Sequence, residues 1–251
     1  MTDRATRLSA FDIGCVVVGG ILGVGIFFTP KQVAAAVDTK GQALAAWALG
    51  GLLAALGALV FAELSLRVPG HGGVFRYLEV AFGRGVAFVY GWANWLVIQA
   101  GAFGVVALVL VDHLQIALGA AAPWSPNART ALAALLMLGF TATNVFGLRT
   151  GKWLQNTLIV LKVLALLALV GVASCAVAEV PAVASPPPSG RSMPAMLAAA
   201  LLPVLFATGG WQQGSFVAGA ALQKRSVPLG ILGGVLVVVV VYLLINHAFL
   251  S

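Results

Sequence analysis

Two stretches of this chain place helix-breaking residues in the middle of long apolar runs, where a broken backbone can itself bind a ligand. The first, GGILGVGIFFTP (Gly19–Pro30), has five Gly and Pro in twelve positions. Inside a helix, Gly costs about 1 kcal/mol relative to Ala and Pro about 3 kcal/mol. In hydrocarbon, an unwound turn also leaves N–H and C=O groups unpaired, at several kcal/mol each. Such a break persists only where a cavity, a ligand or neighbouring helices satisfy those groups. A half-helix restarting near Ile26 would aim free N–H groups, and the positive end of its dipole, at a carboxylate-sized anion. A small-residue packing face from Gly19 to Gly23 accounts for the same spacing. Spacing alone leaves both readings open.

The second stretch is LLPVLFATGGWQQGSF (Leu201–Phe216), with Pro203, Gly209, Gly210 and Gly214 among polar Thr208, Gln212 and Gln213. Carbonyls freed near Phe206–Gly209 suit an ammonium group. Paired interruptions at corresponding positions are the pointer to an inverted-repeat transporter with its site at the membrane midplane. An anion-binding helix start beside a cation-binding carbonyl cluster describes a site for a zwitterion, and an α-amino acid fits it.

Other polar residues are sparse. Lys162 sits within IVLKVLALLALV. A charge at the bilayer centre costs about 2.5–3.5 kcal/mol on insertion scales, so Lys162 is expected to face the bundle interior. Snorkelling to an interface is the competing reading. Glu63 lies near the end of its run and is expected to pair with Arg67 at i+4. Tyr242 and Asn246 either face the site or hydrogen-bond a neighbouring helix, and packing is the preferred reading. Trp92, Trp95, Trp124 and Trp153 fall near run ends and read as interface anchors. His71, His113 and His247 are far apart, and Cys15 and Cys175 both lie in apolar runs, so no metal site, cofactor or disulfide framework is expected. No nucleophile–base or phosphate-loop pattern points to an enzyme.

Seven apolar runs must position these residues: roughly 11–37, 43–66, 80–118, 128–146, 154–177, 193–222 and 228–250. A span of about 30 Å of hydrocarbon needs about 20 mostly apolar residues. Hydrophobic residues make up 61% of the 251, and charged residues only 8%. Ordinary soluble domains carry about 25% charged residues, so a soluble enzyme and a disordered tail are excluded. The net charge of +7 comes from scattered single residues, which argues against nucleic acid. The partners expected are the lipid bilayer and a small molecule.

The first run is longer than a signal peptide's apolar core, so it reads as an uncleaved span. With the N-terminus in the cytoplasm, nine lysines and arginines fall in inside loops and four (Lys31, Lys40, Arg129 and Arg191) outside. The Pro-rich Val183–Gly190 stretch reads as an external loop.

The residues resemble those of the amino acid–polyamine–organocation permease superfamily. GVGIFFTP (Gly23–Pro30) is similar to its first-helix glycine motif. The stretch from Ala55 to Val97 resembles its second helix, internal loop and third helix. Gly147–Gly171 resembles its fourth-to-fifth helix passage, and LFATGGWQQGSFVA (Leu205–Ala218) its sixth helix. The resemblance implies an all-α, polytopic bundle of the five-plus-five inverted-repeat type, with helices 1 and 6 broken and about seven of twelve spans present. Residues 1–251 are then one membrane domain, with 11–178 the first repeat and 193–250 the first two helices of the second. It implies substrate carboxylate binding at Gly23, Val24, Gly25 and Ile26. It implies amino-group binding at the carbonyls of Phe206, Ala207, Thr208 and Gly209. Trp211 would help line or close the external side, and Lys162 would occupy the place of a sodium ion and serve coupling. Val24 stands where Ser is common, and AGAAL (Ala218–Leu222) stands where the family usually carries two acids.

The function implied is a secondary amino-acid permease of the cell membrane, working by alternating access. Its substrate would be a neutral amino acid, coupled to protons or to a counter-exchanged amino acid. The alternative is a truncated, non-transporting subunit that serves only as a scaffold.

Overall fold

Apolar run after apolar run is helical, the form that pairs every backbone N–H and C=O within its own segment. The computed structural model describes residues 7–23, 25–119, 124–145, 148–175, 190 and 192–250. At 143–145, 148–150, 173–175 and 250 only the helical backbone is described. Arg4, Val24, Arg191 and residues 183–189 of the Pro-rich stretch lie outside the described residues.

The helices are α1 (Ala10–Ile21), α2 (Gly25–Ala36), α3 (Lys40–Arg67), α4 (Val74–Phe82), α5 (Arg84–Ala93), α6 (Ala100–Ala117), α7 (Pro126–Val145), α8 (Leu148–Cys175), α9 (Met193–Thr208), α10 (Gln213–Phe216) and α11 (Ser226–Leu250). A π-helical segment, Asn94–Gln99, joins α5 to α6.

Seven spans were expected. Among the described residues, five helices are long and apolar enough to cross a membrane, and six if α1 and α2 count as one bent span. The remaining expected run, 128–146, is also helical, as α7, of which 143–145 are described as backbone only. The bundle remains all-helical, and its many exposed Leu, Val, Phe and Trp side chains (Leu56, Val60, Phe88 and Trp95 among them) form the kind of surface a bilayer covers. The chain is a multi-pass membrane protein.

The residues form two compact units. The first contains 1–74 and 154–251. In it α11 packs along α1 and α3, while α9 packs along α2 and α3. Ile13, Val17, Trp47, Val204, Ile231, Tyr242 and Ile245 form its buried centre. Lipid tails are as apolar as leucine, so helices associate here through close packing across small residues. A methyl added to Gly51 would meet Val239 Cγ1 at 2.8 Å, and one added to Gly234 would meet Val17 Cβ at 2.8 Å. Gly50 lies against Val204 in the same way. At one end, Leu8 pairs with the segment after α10: its N–H donates to the Ala220 carbonyl (2.8 Å), and its carbonyl accepts from Leu222 N–H (2.7 Å).

The second unit contains residues 75–153. Its small core gathers Ala107, Val111 and Ala133, with Trp124, Leu132 and Leu136 packed around them. Arg129 donates Nε–H and an Nη2–H to the two Asp112 carboxylate oxygens at 2.8 and 2.7 Å, tying α7 to α6. Trp92 and Trp95 are exposed, with ring centroids 5.7 Å apart.

Candidate functional site at two helix breaks

In the first unit, α1 stops at Ile21 and α2 starts at Gly25, with a 51° bend between them. The glycines make this stop inexpensive, and local bonds absorb part of the loose backbone. Leu22 N–H donates to the Val18 carbonyl (2.7 Å), and Gly23 N–H donates to the Ile21 carbonyl (2.7 Å). The Gly23 amide is therefore already engaged. The first amides of α2, at Gly25 and Ile26, belong to a helix start, where N–H groups have no partner within the helix. Val24 lies outside the described residues.

The second break follows Thr208. Gly209 is extended (φ −69°, ψ 153°), and Gly210 takes φ 125°, a backbone shape that side chains disfavour. The chain turns back into helix when Gln213 N–H donates to the Gly210 carbonyl (3.0 Å). The Thr208 hydroxyl donates to the Val204 carbonyl of its own helix (2.9 Å).

The two breaks meet backbone to backbone. A methyl on Gly210 would come within 2.7 Å of the Gly20 carbonyl carbon and 3.0 Å of Ile21 N, and would collide with the Gly20 oxygen. A methyl on Gly25 would rest 3.6 Å from Ala207 Cα, an ordinary contact. Carbonyls at the ends of α1 and α9 thus gather in one place. Lys162 Nζ donates to the Leu22 carbonyl at 2.8 Å. The Tyr242 hydroxyl lies 3.1 Å from both the Ile21 and the Ala207 carbonyls. A cation and a hydroxyl donor on free C-terminal carbonyls match the helix dipole.

Of the expected site residues, Ile26, Ala207 and Thr208 are buried beside the breaks, Gly25 adjoins Ala207, and Gly23 and Gly209 are exposed. The Phe206 side chain is 82% exposed, so only its backbone is a candidate contact. Trp211 packs on Gly57 and stands edge-on to Phe61, 4.9 Å between centroids. Gly57 and Phe61 lie in the half of α3 that ends at Arg67. An apolar groove of about 420 Å³ between α1, α8 and α11, floored by Gly14 and Gly233, offers no charged partner for a zwitterion. Glu63 does pair with Arg67, at 2.6 Å, on an exposed face.

Sequence reasoning singles out Glu63 among the acids and passes over Asp12. Asp12 is buried, accepts from Ser9 N–H and Ser9 Oγ–H at 2.8 Å each, and accepts from Asn156 Nδ2–H on α8 at 2.6 Å. The Ser-x-x-Asp spacing before an apolar run was the available signal, a capping box. Nothing in the sequence singles out Asn156. Asp12→Ala removes the carboxylate half of the capping box and the tie to α8 together, leaving the Ser9 Oγ cap on the residue-12 amide. We expect a loss of about 2 kcal/mol of stability, read as a lowered melting temperature in detergent, with Asp12→Asn losing less.

Comparisons with known proteins show the family of the chain. A family model described as amino acid permease matches residues 8–251. The b(0,+)-type amino acid transporter 1 of Mus musculus is 30% identical over 240 residues, covering 94% of this chain and 49% of that protein. The serine/threonine exchanger SteT of Bacillus subtilis is 28% identical over 239 residues, covering 94% and 52%. The large neutral amino acids transporter small subunit 2 of Oryctolagus cuniculus is 30% identical over 248 residues, covering 94% and 45%. These relatives are transporters by name rather than enzymes, and the chain spans about half their length. With a family match over nearly its whole length, and two interrupted helices joined at their breaks, this chain belongs to the amino acid permease family of the amino acid–polyamine–organocation superfamily.

Proposed function

We propose that the chain carries the substrate-gripping part of a secondary amino-acid transporter of the cell membrane, with its N-terminus in the cytoplasm. The observation that carries this reading is the meeting of the two breaks. The α2 amides at Gly25 and Ile26 offer a carboxylate site, and the carbonyls near Ala207 offer an ammonium site. Gly23, Val24, Phe206, Thr208 and Gly209 are the further backbone candidates, Val24 lying outside the described residues, and Trp211, packed on Gly57 and Phe61, is proposed to help line or close the external side. A substrate bridging the breaks would rock with them between two openings. Neither Gly19–Pro30 nor Leu201–Phe216 contains an acidic residue, which favours a neutral amino acid. Exchange is the favoured coupling, in keeping with the SteT relative's name, and a proton is the other candidate. Lys162 is proposed to serve coupling by holding the Leu22 carbonyl in place of a metal cation.

Uptake of labelled leucine and serine into proteoliposomes holding this 251-residue chain tests the reading. Gly25→Ala should transport nearly as well as the parent, because its methyl makes an ordinary contact with Ala207. Gly25→Leu should abolish uptake while the protein still inserts. No uptake by the well-folded parent would favour the scaffold alternative.

A further inference from the structure

The Tyr242 side chain is 1% exposed in the centre of the first unit, and one O–H faces two carbonyls at the same 3.1 Å. A phenol has one proton to donate, so it can serve the Ile21 or the Ala207 carbonyl well, but not both at once. The two carbonyls are not equivalent. Ile21 also accepts from Gly23 N–H at 2.7 Å. Ala207 sits in the last turn of α9, where carbonyls have no partner within the helix. The ring itself is held apart from the polar bonds. Trp47 meets it edge-on, with centroids 5.4 Å apart and planes at 81°. The Trp47 indole N–H is buried without a hydrogen-bond partner, so packing alone seats that side chain.

Resting on the proposed function above, we propose that Tyr242 is the competitor a substrate's ammonium displaces. An arriving α-amino group donates to the Ala207 carbonyl, the phenol proton turns wholly to Ile21, and the two half-helices register that the ligand is in place. Tyr242 is thus a positioning residue that links both breaks through one proton. Its role differs from that of a packing residue in one measurable way: removing its hydroxyl should strengthen binding of an amine-bearing ligand.

The test is equilibrium binding to the purified 251-residue chain in nanodiscs, using labelled L-leucine and its analogue without the amino group, 4-methylpentanoate, as competitor. In Tyr242→Phe the ring keeps its contact with Trp47. We expect its leucine Kd to fall about threefold or more while the 4-methylpentanoate constant stays unchanged, with uptake at saturating leucine slowed. A leucine Kd that is unchanged or raised, or an equal change for both ligands, overturns the proposal. Tyr242→Met, a second variant without the hydroxyl, applies the same criterion should the Phe variant fold poorly. Absence of leucine binding to the parent chain would instead overturn the amino-acid site itself, a distinguishable outcome.

Discussion

Gly210→Ala is expected to abolish uptake and to lower the melting temperature by several degrees. Two costs combine at this position. A residue with a side chain at φ 125° is strained by roughly 1–2 kcal/mol. The new methyl would also press into the Gly20 carbonyl and Ile21 N, an overpacking typically worth about 1–3 kcal/mol. The strain falls on the backbone of both breaks, so relief can come only by moving them apart. Gly209→Ala is the internal control. Gly209 has φ −69°, and its methyl would rest 3.4 Å from the Leu205 carbonyl oxygen, an ordinary contact. It should keep most activity. Equal loss in the two variants would mean that the approach of the breaks is irrelevant to transport.

Lys162→Ala is expected to cut leucine uptake at least tenfold. The ammonium makes a charge-assisted bond of 2.8 Å to the Leu22 carbonyl, at the end of α1. Without it, a carbonyl at the break loses its partner, a penalty of about 1–3 kcal/mol for a buried group. A lysine that merely snorkelled to an interface would touch nothing at the break, and its removal would be silent. Uptake rate measured against pH separates the two. An unchanged rate and profile in Lys162→Ala would remove this residue from the mechanism.

The breaks were legible in the sequence because glycine acts locally: Gly23 and Gly25 stand where α1 gives way to α2, and Gly209 and Gly210 where α9 stops, although Pro30 and Pro203 lie inside α2 and α9. Membrane character was legible from run length and scarcity of charge. What escaped depends on partners distant in the chain. For Tyr242 the sequence leaves open a place at the site or a hydrogen bond to a neighbouring helix, with packing preferred, and only the placement of α11 brings its hydroxyl to residues 21 and 207. Asn156 gains meaning only beside Asp12, 144 positions away. The location of Trp211 against Gly57 and Phe61 likewise depends on how α3 crosses the second break. The π-helical segment Asn94–Gln99 carries no Gly or Pro to announce it.

Hydrogen exchange at single amides reads the central claim most directly, since helix-start N–H groups are the groups said to hold the carboxylate. Exchange at Gly25 and Ile26 should slow several-fold when saturating L-leucine is added to the 251-residue chain, while amides in α7 are unaffected. Bound leucine with unaltered exchange at Gly25 and Ile26, or slowing confined to α7, would contradict the account.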